Sequence, residues 1–92
     1  MNNNIIRAKT AIEEILNDSN VDIIECFEFN KKIEYMISTE IGVISLSFVD
    51  DMSYDFTLFD LEGDNIIYNH TVIIESISEL NQLLSYDLSR LS

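Results

Sequence analysis

The run Ile33-Glu34-Tyr35-Met36-Ile37-Ser38, followed after a short break by Ile44-Ser45-Leu46-Ser47-Phe48, changes side-chain character with a period of two. Ile33, Tyr35 and Ile37 alternate with Glu34, Met36 and Ser38, and Ile44, Leu46 and Phe48 alternate with the two serines. Successive side chains of a strand point to opposite faces, so this pattern predicts two half-buried antiparallel strands joined by a tight turn at Glu40-Ile41-Gly42. Upstream, Asn30-Lys31-Lys32 links them to a strand over Asp22 to Phe29. Downstream, Glu62-Gly63-Asp64-Asn65 reads as a hairpin joining a strand over Tyr54 to Leu61 with one over Ile66 to Ile74. Within 54 to 61 the faces conflict, because Tyr54, Phe56 and Leu58 share one side while Phe59 and Leu61 take the other. Either a bulge reverses the register or aromatic side chains are exposed.

Outside the strands the period lengthens. Ile5, Ala8, Ile12, Ile15 and Leu16 recur at helical spacing over residues 4 to 18, with Asn2 to Asn4 as cap candidates and Asn17-Asp18-Ser19-Asn20 as a polar stop. Ser76-Ile77-Ser78-Glu79 is a capping-box pattern, and Ile77, Leu80, Leu84, Leu88 and Leu91 continue as an apolar stripe over 77 to 90. Helix, four to five meandering strands and helix, with no helical crossovers, define an α+β fold: a four- to five-stranded antiparallel sheet between an N-terminal and a C-terminal helix. One sheet face should carry the helices and the other should meet water.

The chain has 92 residues, 47% of them hydrophobic, and a net charge of -12. Disordered acidic tails are poor in Ile, Leu and Phe, so this composition predicts a folded core with an acidic shell, a single domain over 1–92. The one cysteine, Cys26, excludes an internal disulfide and suits a reducing compartment; in its apolar strand it reads as a small core residue. The N-terminal residues show no signal-peptide pattern, no apolar run is long enough to span a bilayer, and anionic headgroups would repel the acids. The expected location is the cytoplasm of a bacterial host cell.

Catalytic and metal chemistry find little to stand on. His70 is the only histidine and reads as a surface or edge residue with no special role; no cofactor or metal is expected. Asp60-Leu61-Glu62-Gly63-Asp64-Asn65 partly matches a calcium loop, but Asn65 stands where the turn needs glycine and Thr71 replaces the closing glutamate. Two carboxylates for glycoside hydrolysis need a cleft that a chain this short rarely encloses, and no triad order or phosphate-binding glycine loop is present. The chain is read as not an enzyme. Direct nucleic-acid binding is opposed by five Lys and Arg against seventeen Asp and Glu.

What stands out is charge. From Ile33 to Ser89 there is no lysine or arginine, whereas folded surfaces normally mix both signs. Glu75 and Glu79 suit a helix N-terminus and Arg90 a C-terminus, but Glu13, Glu14 and Asp18 crowd the last half of the first helix against its dipole. The densest run comprises Asp50, Asp51, Asp55, Asp60, Glu62 and Asp64, with Glu34 and Glu40 as second choices for partner-binding residues. If 60, 62 and 64 stay extended, their carboxylates project at intervals of about 6.7 Å, twice the strand rise and comparable with the spacing of DNA phosphates. Phosphate mimicry, a less structured acidic docking surface and a merely solvated face all fit the pattern.

In size, acidity and helix-sheet-helix build, the chain resembles the small inhibitors that phages and mobile elements direct against host nucleic-acid enzymes, such as anti-CRISPR proteins and the uracil-DNA glycosylase inhibitor. The resemblance rests on no motif. It implies a stoichiometric blocker whose Asp and Glu side chains occupy the Arg- and Lys-lined groove of a basic nucleic-acid-binding protein or nuclease. An immunity protein or antitoxin that neutralises a basic nuclease toxin would use the same electrostatics. The remaining class is a structural or chaperone-like homodimer, which would keep its acidic faces apart by pairing through apolar helix or edge surfaces.

Overall fold

The alternation at the centre of the sequence generates one continuous apolar face. A computed structural model describes residues 3–91, ordered α1 (Asn3–Asn17), β1 (Asp22–Phe29), β2 (Lys32–Ser38), β3 (Val43–Val49), β4 (Ser53–Phe59), β5 (Ile66–Ile73) and α2 (Ile77–Ser89). The five strands form a single antiparallel meander in sequence order. Register places Ile33, Phe48 and Tyr54 in one row across β2, β3 and β4, Tyr35, Leu46 and Phe56 in the next, and Ile37, Ile44 and Leu58 in the third. All nine side chains are buried. Burying each one contributes on the order of 1.5–3 kcal/mol before the entropy of ordering is subtracted.

Both helices cover this face. Ile5, Ala8, Ala11, Ile12 and Leu16 are buried from α1, and Ile77, Leu80 and Leu84 from α2. Ser76 caps α2 as expected, its hydroxyl accepting from the Glu79 N–H at 3.3 Å, while the Glu79 carboxylate reaches the N–H of Glu75 at 3.0 Å. Of the cap candidates Asn2 to Asn4, Asn2 lies outside the described residues and Asn3 and Asn4 lie within α1. The opposite face of β2 to β4 alternates into half-exposed positions. There Asp55 accepts from Thr57, Asn69 and Thr71, and Asn69 also donates to Thr57 at 2.8 Å.

Two helices cannot roof five strands fully: β1 is left uncovered, whereas Tyr68, His70 and Val72 on the inner face of β5 are half-buried beside α2. Every residue of β1 is exposed, which corrects the expectation for Cys26: it lies on an edge strand rather than in the core. Partial burial of its sulfur pushes the thiol up, so it stays protonated. The conflict over residues 54 to 61 resolves with both features present. The register slips between β4 and β5 beside Leu58 and Phe59, Phe59 sits half-exposed on the open face, and Leu61 is 66% exposed in the following turn.

A meander sends successive turns to opposite ends of its sheet. Turns 30–31 and 50–52 share one end, hereafter the Lys31 end, where the Asp50 N–H donates to the Lys31 carbonyl at 2.8 Å. Turns 39–42 and 60–65 share the other, the Glu40 end. α1 finishes just before Asp22, which pairs with Ser38 at the Glu40 end, while α2 starts just after Ile73, which pairs with Ser53 at the Lys31 end. Both helices therefore run toward the Glu40 end and terminate there.

Candidate partner-binding surface

Eight carboxylates stand out in the sequence, and the fold distributes them over three places. Asp50 and Asp51 lie at the Lys31 end, Glu34 and Asp55 lie on the open sheet face, and Glu40, Asp60, Glu62 and Asp64 lie at the Glu40 end. The run from Asp50 to Asp64 is thus contiguous in sequence only.

Several of these acids have local work. Asp51 accepts from the Ser53 N–H at 3.0 Å, closing the turn in which Met52 takes a left-handed φ of 71°. Glu34 lies 3.7 Å from the Lys32 ammonium, and Asp55 is held by its three neighbours on the open face. Asp60 is the most committed: Oδ1 accepts from the Asp64 N–H at 2.9 Å and Oδ2 from the Asn65 amide at 2.8 Å. The Asn65 amide, aided by backbone N–H groups of the turn, holds its carboxyl below the usual carboxylate range. Residues 60–65 consequently form a closed turn around Asp60, so the extended 6.7 Å ladder of carboxylates considered from the strand rise does not form. The side chains of Glu40, Asp50, Glu62 and Asp64 have no hydrogen-bond or ion-pair partner among the described residues.

At the Glu40 end the unpartnered acids have company. Asp18 and Asp22 flank the loop that leaves α1, and neither helix carries a basic residue in its last turn. Each helix C-terminus presents roughly half a negative charge. Four of the five cations, Arg7, Lys9, Lys31 and Lys32, lie in the first half of α1 or at the Lys31 end. Arg90 alone is near the Glu40 end, and its guanidinium stacks over the rings of Tyr68 and Tyr86, 4.9 and 5.9 Å from their centroids. The chain is electrostatically polar, with its negative pole at the Glu40 end.

That pole also contains an open cavity of about 610 Å³ between the C-terminal ends of α1 and α2 and the 39–42 turn. Ile15, Val21, Ile41, Leu88 and Leu91 supply its apolar lining, and exposed Asp18 and Glu40 also line it. Ile41 is 42% exposed although it is an isoleucine in a turn. Thr39 fixes that turn, its hydroxyl accepting from the N–H groups of Ile41 and Gly42 and donating to the Gly42 carbonyl. A shallower depression of about 330 Å³ on the open sheet face gathers Met36, Val43, Phe59 and Leu61 beside Glu62.

A second cluster escaped the sequence reading. Asp87 is fully buried in α2, where it accepts from the Tyr54 hydroxyl at 2.6 Å, the Tyr68 hydroxyl at 2.7 Å and His70 Nδ1 at 3.0 Å. His70 is therefore an edge-strand residue, as expected, but not one without a role: its ring helps to satisfy a buried carboxylate. Burial and the bond to Asp87 push the Tyr68 phenol up to about 12, and the same two causes raise Tyr54 further. On the other side of the core Tyr35 donates to Glu13 at 2.8 Å. The signal for Asp87 was its spacing: residues 77, 80, 84 and 87 share a helical stripe, and an acid inside such a stripe must be buried with donors or exposed by a break.

No family model matches the chain, and neither a curated protein nor a solved structure matches it. Among the described residues no helix is long and apolar enough to cross a membrane, and no group of three or more His, Cys, Asp or Glu side chains could hold a metal ion.

Proposed function

We propose that this chain is a non-catalytic acidic inhibitor that binds a basic, nucleic-acid-binding protein or nuclease through its Glu40 end and blocks the surface meant for nucleic acid. The observation that carries this reading is the charge segregation. The carboxylates of Glu40, Glu62 and Asp64 have no partner among the described residues and lie at the end where two helices terminate, while four of five cations sit elsewhere. Helix stability alone favours cations near both C-termini, and of the two helices only α2 has one, its C-cap Arg90. A one-signed pole steers an oppositely charged partner, accelerating association by roughly 10 to 1,000-fold with strong salt dependence.

Of the eight acids read from the sequence, Glu40, Glu62 and Asp64 are the binding residues in this reading, and Asp60 shapes the turn that presents two of them. Charge reversal of Glu40 and Glu62 in one chain is the informative variant, because neither side chain holds the fold. Immobilised wild-type protein should retain a nucleic-acid-binding protein from nuclease-treated bacterial lysate at low salt and release it at high salt, and the E40K/E62K variant should not retain it. Retention of the same proteins by both, or of nothing basic by either, would overturn the proposal.

A further inference from the structure

The cavity at the negative pole is lined by half-buried Ile15, Val21, Leu88 and Leu91, by exposed Asp18 and Glu40 and by uncharged polar side chains, and apolar surface beside negative charge selects an occupant. We infer that the basic partner inserts here a segment carrying a large apolar side chain flanked by lysine or arginine; this rests on the inhibitor reading and names where and how it is carried out. Ile15, Val21, Ile41, Leu88 and Leu91 offer apolar surface to such a side chain, and a volume of about 610 Å³ is within the range of sites that engulf a ligand. Asp18 and Glu40 stand beside that surface to meet the flanking cations.

The helix ends supply the second reason for a cation. α1 and α2 both terminate beside the cavity; α2 carries a cation at its C-cap, Arg90, whereas the partial negative charge at the end of α1 has no basic residue in its last turn. Arg90 is the nearest candidate within the chain, but its guanidinium lies over Tyr68 and Tyr86. A second copy of this chain is a poor occupant. It would bring another -12 charge toward the same pole, and like charges in apposition oppose docking. An uncharged apolar segment would cover the apolar lining and leave Asp18 and Glu40 uncompensated. Only a segment that is both apolar and cationic matches the two together.

Two synthetic helical peptides of equal length and equal positive charge test the inference, one built from leucine and lysine with its leucines on one face, the other with serine in place of leucine. Each is titrated into isotopically labelled protein while backbone amide shifts are followed. The leucine peptide should shift Val21, Thr39, Ile41 and Leu88 and bind about tenfold tighter than the serine peptide, the factor expected from burying one aliphatic side chain. Ile41→Glu, at an exposed turn position that leaves the core untouched, should abolish that difference. Equal affinity of the two peptides, shifts confined to residues 60–64, or concentration-dependent shifts at the cavity without peptide, which would mean a second copy fills it, would each overturn the inference.

The outcomes also separate it from the broader reading. A lysate partner lost on E40K/E62K charge reversal, with the cavity silent to the leucine peptide, leaves the inhibitor reading standing and removes the cavity from it. A cavity that binds the peptide in a chain that retains no basic protein overturns the inhibitor reading and the assignment of the segment to a nucleic-acid-binding partner, and leaves only the preference of the cavity for an apolar, cationic segment.

Discussion

Asp87 shows how one side chain can set the chemistry of a core. An ionised carboxylate removed from water is strongly destabilising unless donors replace its hydration, and here two phenols and an imidazole do so. Removing it strands those donors: Asp87→Ala should lower unfolding stability by about 3 kcal/mol in urea titrations, whereas Tyr54→Phe, which leaves Asp87 its other two partners, should cost about 1 kcal/mol. The raised phenols make a second prediction. Tyr35, Tyr54 and Tyr68 are held neutral in the folded state, so their contribution is fully present below the unfolded phenol value of about 10 and is lost as pH rises through the folded values, Tyr68 near 12 first. Absorbance of phenolate should therefore grow late, in step with loss of far-ultraviolet circular dichroism. Early ionisation of Tyr35, Tyr54 and Tyr68 with the fold intact would contradict the assignment.

At the scale of elements, the two periods in the sequence were sufficient for the architecture. Alternation over 33–38 and 44–48 located the paired strands, and Ser76 with Glu79 located the start of α2, because these signals are local and depend on neighbours a few residues away. What depends on how elements lie together was less legible. Cys26 looked like a core residue because its strand is apolar, but the width of the helix layer decides whether an edge strand is covered. Asp87 was overlooked because its partners come from β4 and β5, distant in sequence. The division of the acidic run was implicit in the meander: consecutive turns alternate ends, so 50–51 and 60–64 could not share a surface. Gly42 marks another element-level constraint, since a Cβ there would lie 1.9 Å from the Phe59 carbonyl oxygen across the β3–β4 pair. Gly42→Ala should destabilise the protein by about 1–3 kcal/mol by forcing those strands apart. Ser76→Ala, which removes only the cap of α2, should cost about 1 kcal/mol. Both are read from denaturant midpoints at constant slope.

In the molecule as a whole, the placement of charge matters more than its total. A net charge of -12 would keep any small domain soluble, but it does not explain why both helices end at the same side as the unpartnered Glu40, Glu62 and Asp64, or why an apolar cavity opens among them. Helix stability alone would gain from cations at both of those ends, yet only α2 has one, its C-cap Arg90. A chain selected to capture a basic surface would not gain from them, because they would repel the partner. Acids that hold the fold differ from those free to meet a partner: substituting Asp60 should loosen the 60–65 turn, whereas substituting Glu62 should leave stability unchanged or slightly raised as self-repulsion falls.

The most direct measurement follows labelled nucleic acid held by the protein recovered from lysate while this chain is added. Fluorescence anisotropy should fall to the value of free nucleic acid as one equivalent is reached, and the E40K/E62K chain should leave it unchanged. Nucleic acid that stays bound while the wild-type chain is also bound would contradict the claim that the acidic pole occupies the nucleic-acid surface.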